Sequence, residues 1–323
     1  MANDVKVSIC VPIYNVAAYI EECAESLFNQ TYNNIEYIFV DDNSPDSSVQ
    51  ILCNVLDRYP QRKDAVRIIR HEENKGLACA RITAIKSVTG KYILHVDSDD
   101  YLEADAVKLL VESAENNNAQ VVIGQNYLVR NKQRVQAPKV NYEDKDVLIH
   151  KMLEMSVSPS IWGKLFAADL FSYDLDTMPV EGLNHGEDYA TVPRLLYCAK
   201  TIAYLDEPVY NYRLINTFSY TSNFTEKSFQ NLIKANEKLN HFFKDKYDKE
   251  FLDYCTLRLK VRMIKPDTFR FYPRINQLYP DVTRRMERRL ALKERILLFL
   301  LRRNLFTLTR YYIILGHRIK GTR

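Results

Sequence analysis

The chain has 323 residues, 46% hydrophobic and 27% charged, which is enough apolar material to bury a core and excludes a disordered or low-complexity chain. Its net charge of +4 is unevenly placed: from Arg284 to Arg323 there are 12 Lys and Arg against Glu287 and Glu294, so a body at −6 carries a tail at +10. Six cysteines without a Cys-x-x-Cys pair argue against a zinc site or a disulfide framework and favour the cytoplasm, and Met1 to Lys6 supplies no apolar leader, so no signal peptide is expected.

Val5 to Val11 reads as a strand stopped at Pro12, followed by the turn Pro12-Ile13-Tyr14-Asn15. A helix is predicted from Val16 to Gln30, because Val16, Tyr19 or Ile20, Cys23 and Leu27 repeat at helical spacing. Ile35 to Val40 is a second strand ending in Asp41-Asp42-Asn43-Ser44, with a helix from Ser47 to Tyr59 after it. Val66 to Arg70 is a third strand, and Asn74-Lys75-Gly76 turns into a helix from Leu77 to Val88 capped by Gly90. Tyr92 to Val96 is the fourth strand. This alternation, running to about residue 125, predicts an α/β fold with a Rossmann-like, mostly parallel central sheet and helices on both faces. Ligands of such sheets sit beyond the carboxyl ends of the strands, where Pro12, Asp41-Asp42 and Asp97 to Asp100 all fall.

The stretch from Lys91 to Leu102 concentrates the chemistry. An apolar strand runs into Asp97-Ser98-Asp99-Asp100, and Asp97 and Asp99 can both point at one hard divalent cation, Mg²⁺ or Mn²⁺, which prefers oxygen ligands. The competing reading is a solvated turn in which Asp99 or Asp100 caps a helix starting near Glu103.

Lys132 to Lys145 is polar and irregular, an excursion from the sheet, and a helix near Val147 to Met155 follows. Ser158 to Phe166 holds the only Trp, Trp162, beside Gly163 and Lys164; this could handle a sugar ring and an anion together, or be ordinary packing. Glu181 to Tyr189 sets carboxylates before a helix from Ala190 to Ala199, so Asp188 could be no more than an N-cap. His185 has no metal-ligand companion and is read as structural. A strand from Thr201 to Leu205 precedes Pro208-Val209-Tyr210-Asn211-Tyr212-Arg213, and from Ser228 onward the pattern is mainly helical. Lys164 and Arg213 could each meet a phosphate or be a surface charge. The expected division is a catalytic domain over 1–225 and a helical C-terminal region over 226–323.

Near the end, Met286, Leu290, Leu297, Leu301, Leu305, Leu308, Tyr312 and Leu315 fit one apolar helical stripe with Arg and Lys on the other faces. The longest apolar run, Ile296 to Leu301, is six residues, far below the roughly 20 that span a bilayer. The stripe over 284–323 could dock on an anionic inner leaflet, where each cation adds about 1 kcal/mol, or cap the catalytic domain. No base-reading motif accompanies the charge, so nucleic acid is not expected as a partner.

Taken together, Val-Ser-Ile-Cys-Val-Pro-Ile-Tyr-Asn, Phe-Val-Asp-Asp-Asn-Ser, Asn-Lys-Gly-Leu-Ala-Cys-Ala-Arg, His-Val-Asp-Ser-Asp-Asp, Trp-Gly-Lys-Leu-Phe and Gly-Glu-Asp resemble an inverting, family two glycosyltransferase of the GT-A fold. The similarity is to bacterial capsule, O-antigen and exopolysaccharide enzymes and covers roughly residues 5 to 220. It implies that Pro12, Tyr14 and Asn15 line the nucleotide site, that Asp42 accepts a hydrogen bond from a uracil ring, and that Arg81 lies near the nucleotide. It further implies that Asp97 and Asp99, with Ser98 between them, bind the metal and through it the donor diphosphate, that Asp100 supports them, and that Asp188 is the catalytic base. The chain departs from the family at Ile82 and Ala84, where Asn and Gly are common, which bears on fine nucleotide contacts. The implied activity is metal-dependent transfer of a sugar from a nucleotide-sugar donor, a UDP-sugar, to a glycan or lipid-linked glycan acceptor at the cytoplasmic face of a membrane. The alternative is a noncatalytic nucleotide-sugar-binding or scaffold protein.

Overall fold

The structure, a computed structural model, describes residues 5–214 and 224–321. The stretch 215–223, into which the resemblance was expected to run, and Thr322 and Arg323 of the tail lie outside the described residues. The chain divides into two compact units, Met1–Ile149 with Pro159–Asn223, and His150–Ser158 with Phe224–Arg323.

The first unit opens β1 (Val7–Ile13), α1 (Ile20–Phe28), β2 (Ile35–Asp41), α2 (Ser48–Leu56), β3 (Val66–Arg70), α3 (Leu77–Lys86) and β4 (Tyr92–His95). It continues with β5 (Tyr101–Leu102), α4 (Ala106–Asn116), β6 (Val121–Arg130), β7 (Gln133–Gln136) and α5 (Lys145–Leu153), which leads into the second unit. After the return come β8 (Lys164–Ala167), α6 (Glu187–Cys198) and β9 (Ile202–Arg213). Among the described residues these strands form one nine-stranded sheet in the order β3-β2-β1-β4-β8-β6-β9-β5, with β7 paired to β6. β3, β2, β1 and β4 are parallel; beyond β4 the pairing becomes mixed, because β8 runs antiparallel to both β4 and β6. β1, β2 and β4 are buried along their whole length, as residues covered on both faces of a sheet must be.

Several boundaries differ from the sequence expectation for identifiable reasons. β1 continues through Pro12 to Ile13, where Pro12 pairs with Val40 of β2. β4 has already ended opposite Cys10, so the missing Pro12 amide faces a partner on one side only. Gly90 does not cap α3, whose C-cap is Ser87. Its amide instead donates to Ser8 Oγ and Glu36 Oε1, and a Cβ there would stand 2.7 Å from Ser8 Oγ and 2.8 Å from the Lys6 carbonyl oxygen. The helix expected from Ala190 starts at Glu187, because Gly186 takes the left-handed conformation (φ 82°) at the N-cap and places both acids in the first turn. The segments around Thr201–Leu205 and Pro208–Arg213 are one strand, β9; an irregularity across Gly124 to Asn126 of β6 admits Pro208. The Lys132–Lys145 excursion begins as the hairpin β6–β7.

The second unit contains α7 (Glu226–Phe243), α8 (Lys249–Met263), α9 (Tyr272–Gln277), α10 (Pro280–Met286), α11 (Leu292–Arg302) and α12 (Phe306–Gly321). The basic tail is thus broken into short helices, and Met286, Leu290, Leu297 and Leu301 of the expected stripe are buried.

Gly90→Ala should lower stability by about 1–3 kcal/mol, since two of the three nearest atoms belong to backbone and cannot swing away. Thermal unfolding checks it, and an unchanged Tm would show that the end of β4 relaxes freely.

Candidate active site

The carboxyl ends of β1, β2 and β4 open on one edge of the sheet, and the loops leaving them are stitched together. The Asn15 amide donates to Ser44 Oγ, and the Ala17 amide donates to Asp46 Oδ2. The Asp42 amide donates to the Ile13 carbonyl. The buried Asp42 side chain organises the next crossing: Oδ1 accepts from the Lys75 amide (2.9 Å) and sits 2.7 Å from His71 Nδ1, while Oδ2 accepts from the Gly76 amide (2.7 Å). Gly76 has φ +89°, and a Cβ there would fall 2.0 Å from Asn184 Nδ2. Asn184 occupies that space to accept from the Ala78 amide, satisfying one open donor at the start of α3.

α3 carries Arg81 on its buried side. The side chain is 1% exposed, and its Nη2 lies 3.0 Å from Asp97 Oδ1, 3.7 Å from Glu187 Oε1 and 3.8 Å from Asp188 Oδ1. Burial works against the guanidinium charge, but the Asp97, Asp188 and Glu187 carboxylates outweigh it and push its pKa up. Burial in turn pushes Glu187 and Asp188 above the usual carboxylate range, and the Arg81 charge opposes that rise in both. Asp188 Oδ2 accepts from the Ile161 amide at 3.1 Å, which fixes the carboxylate's orientation. Asp188 Oδ1 and Arg81 Nε and Nη1 are buried and make no hydrogen bond among the described residues. Such atoms cost about 1–3 kcal/mol each when left unmatched, so they are expected where a ligand supplies the partner.

The loop from Asp97 to Asp100 brings one carboxylate oxygen from each of Asp97, Asp99 and Asp100 within 4.8 Å of one another. Two oxygens on one Mg²⁺-sized ion stand about 3–4 Å apart, so this all-oxygen set fits a hard divalent cation. Asp100 is engaged from within: Tyr210 Oη donates to Oδ2 (2.9 Å) and the Arg213 amide to Oδ1 (2.8 Å). Burial first, then the Asp99 and Asp97 charges, push Asp100 well up. Tyr210 Oη also accepts from the Asp97 amide, and its ring stacks on Trp162 at 4.7 Å, as does that of Tyr212 at 4.8 Å. One residue before Trp162 is Ile161, the residue that holds Asp188.

Arg81, Asp97, Asp99 and Asp188 are therefore brought together. Ser98 is buried within the same loop. Pro12, Asn15 and Asp42 lie along the same sheet edge with Tyr14, which is 41% exposed. Lys164 is buried with its Nζ donating to the Ser160 carbonyl and Oγ; burial pulls its pKa down to about 8 against the Asp188 charge. Arg213 holds the acidic loop, its Nε donating to the Asp99 carbonyl and its Nη2 to Glu22, with its guanidinium 5.5 Å from the Tyr19 ring and 5.0 Å from the Tyr101 ring. The sequence reading missed Glu187, Tyr210, His71 and Asn184. For Tyr210 a signal was present, since aromatic residues at 210 and 212 must share one face of a strand.

Residues 8–169 match the model of the family described as Glycosyl transferase family 2. Over 268 residues, 80% of this chain and 76% of its own length, the protein named as glycosyltransferase EpsH of Bacillus subtilis (strain 168) is 28% identical. Glycosyltransferase GlyA of Streptococcus pneumoniae serotype 4 (strain ATCC BAA-334 / TIGR4) is 30% identical over 251 residues, 73% of this chain but 34% of GlyA. Among solved structures, S. aureus TarS 1-349 in complex with UDP-GlcNAc superposes with a TM-score of 0.70 at 20% identity, covering 97% of this chain and 92% of TarS 1-349. Mannosyltransferase PcManGT from Pyrobaculum calidifontis, in complex with GDP-Man and Mn²⁺, gives a TM-score of 0.57 at 17% identity over 96% of this chain and 85% of its own. With half its length in one family model and the fold of TarS around its acidic cluster, the chain belongs to glycosyl transferase family 2 and is a glycosyltransferase of the GT-A fold.

Proposed function

We propose that this glycosyltransferase moves a sugar, with inversion, from a UDP-sugar to a hydroxyl of a growing, lipid-linked glycan in cell-surface polysaccharide synthesis, working peripherally at the cytoplasmic face of a membrane. Catalysis is assigned to residues 1–225. The observation that carries the reading is the meeting of Asp97, Glu187 and Asp188 on the buried guanidinium of Arg81, beside Asp99, at the carboxyl end of the parallel strands. The UDP-GlcNAc held by TarS supports a uridine donor.

Transfer needs a proton acceptor on one side of the anomeric carbon and stabilised negative charge on the other. Asp188 takes the first role: Oδ2 is anchored by the Ile161 amide, and the buried Oδ1 is the atom left to accept the acceptor hydroxyl's proton. Its raised pKa suits a base, and such help is worth about 10²–10⁴ in rate. Asp97 and Asp99 would hold Mg²⁺ or Mn²⁺, which supplies Lewis-acid stabilisation to the departing diphosphate when bound. Attack by the hydroxyl opposite the departing nucleoside diphosphate inverts the anomeric configuration in one displacement, so no covalent protein nucleophile is required. Asp42 has about four lone-pair sites, three of them engaged by His71, Lys75 and Gly76, leaving one on Oδ2 to accept from a uracil N–H. Pro12, Tyr14 and Asn15 would frame the same base.

Asp188→Asn should retain metal-dependent stabilisation by UDP and lose transfer by about 10²–10⁴; normal turnover would end the base assignment. In Asp97→Asn or Asp99→Asn the dependence of UDP binding on Mg²⁺ or Mn²⁺, read by thermal shift, should disappear. For pH, the base works only deprotonated, so kcat/KM should rise with pH through the raised Asp188 value. The Lys164 charge lowers that value, hence Lys164→Gln should move the acidic limb to higher pH; an unmoved limb would disconnect Asp188 from it.

A further inference from the structure

We infer that the outward faces of α11 and α12 form a docking surface for an anionic lipid bilayer, one that keeps only Leu308 and Leu315 of the stripe visible in the sequence. This refines the peripheral placement given above and rests on it. Met286, Leu290, Leu297 and Leu301 are consumed in packing within the second unit. On α11 the buried Leu297, Leu298 and Leu301 occupy one side, and a solvated helix would carry polar residues opposite them. Instead Leu292, Ile296 and Phe299, spaced i, i+4, i+7, stand there 38–70% exposed. α12 repeats the arrangement: Leu308, Tyr311 and Leu315, spaced i, i+3, i+7, are 53–61% exposed. Two neighbouring helices thus present apolar residues where solubility calls for charge.

The flanks identify the occupant. From Leu292 to Leu315 the chain carries five cations, Lys293, Arg295, Arg302, Arg303 and Arg310, and one acid, Glu294. Arg258 neutralises Glu294 at 2.6 Å, and Arg302 is itself paired with Glu287 at 2.6 Å, which leaves Lys293, Arg295, Arg303 and Arg310 to set the field. Lys293 and Arg295 border the α11 stripe, and the Arg303 guanidinium lies 5.6 Å from the Phe299 ring. Apolar stripes edged with cations match a surface of acyl chains beneath anionic headgroups. A second copy fits poorly, because a two-fold interface would set these cations against themselves. No described helix is long and apolar enough to cross a membrane, so the pair would lie in the interface plane.

Co-sedimentation of the full chain with phosphatidylcholine vesicles, with and without phosphatidylglycerol, tests this without donor or acceptor. Binding is expected only with phosphatidylglycerol present and should weaken at high salt. Ile296→Asp with Phe299→Asp, and separately Leu308→Asp with Leu315→Asp, should each reduce the bound fraction at least about tenfold. Metal-dependent stabilisation by UDP should stay unchanged in both, which separates loss of docking from failure of the donor site. Absence of binding to phosphatidylglycerol vesicles, or equal binding by the variants, overturns the inference, as would a dimer in solution that the same substitutions dissociate.

Discussion

The Arg81 guanidinium is the interaction on which the site depends. Asp97, Glu187 and Asp188 come from two distant parts of the chain, and Glu187 and Asp188 are both pushed up by burial. Without a cation among them their mutual repulsion would separate the loops or neutralise the carboxylates. Arg suits this position because its charge persists when buried. A lysine would offer one point charge that desolvation could extinguish, as burial already lowers Lys164 to about 8.

Around that charge the molecule fixes its loops from the backbone outward. Tyr210 is the clearest case: its hydroxyl accepts from the Asp97 amide and donates to Asp100, and its ring stacks on Trp162. Since Ile161, adjacent to Trp162, holds Asp188, strand β9 supports both the acidic loop and the segment that orients the proposed base. Asp42 does the same for the turn into α3, with Asn184 closing the helix start. Functional loops on a rigid sheet are a common arrangement. Here the rigidity extends into the loops, because buried hydrogen bonds to backbone amides leave them few alternatives.

The second unit shows a different balance. α11 buries Leu297, Leu298 and Leu301 on one side, yet α11 and α12 keep large apolar residues exposed. Solvation alone would favour charge at those positions, and an exposed apolar patch of this kind is what the proposed docking surface uses.

The sequence by itself determined the alternation of strands and helices through β4, since period-2 and period-3.6 patterns are local and the turn residues between them are strong signals. It also marked Arg81, Asp97, Asp99 and Asp188 as candidates, because their residue types recur in motifs of fixed order. Tertiary structure alone decided the rest. Whether Asp188 caps a helix or faces Arg81 depends on the left-handed Gly186, which shifts the start of α6 by three residues from the expected Ala190. Gly90 looked like a cap and proved to be a close approach of two strands. Which tail leucines are buried could not be read from a single helical stripe, because the tail breaks into several helices and each turns its own face inward. Local patterns fix what a segment is, but burial, charge pairing and exposure are properties of neighbours that only the folded chain brings within reach.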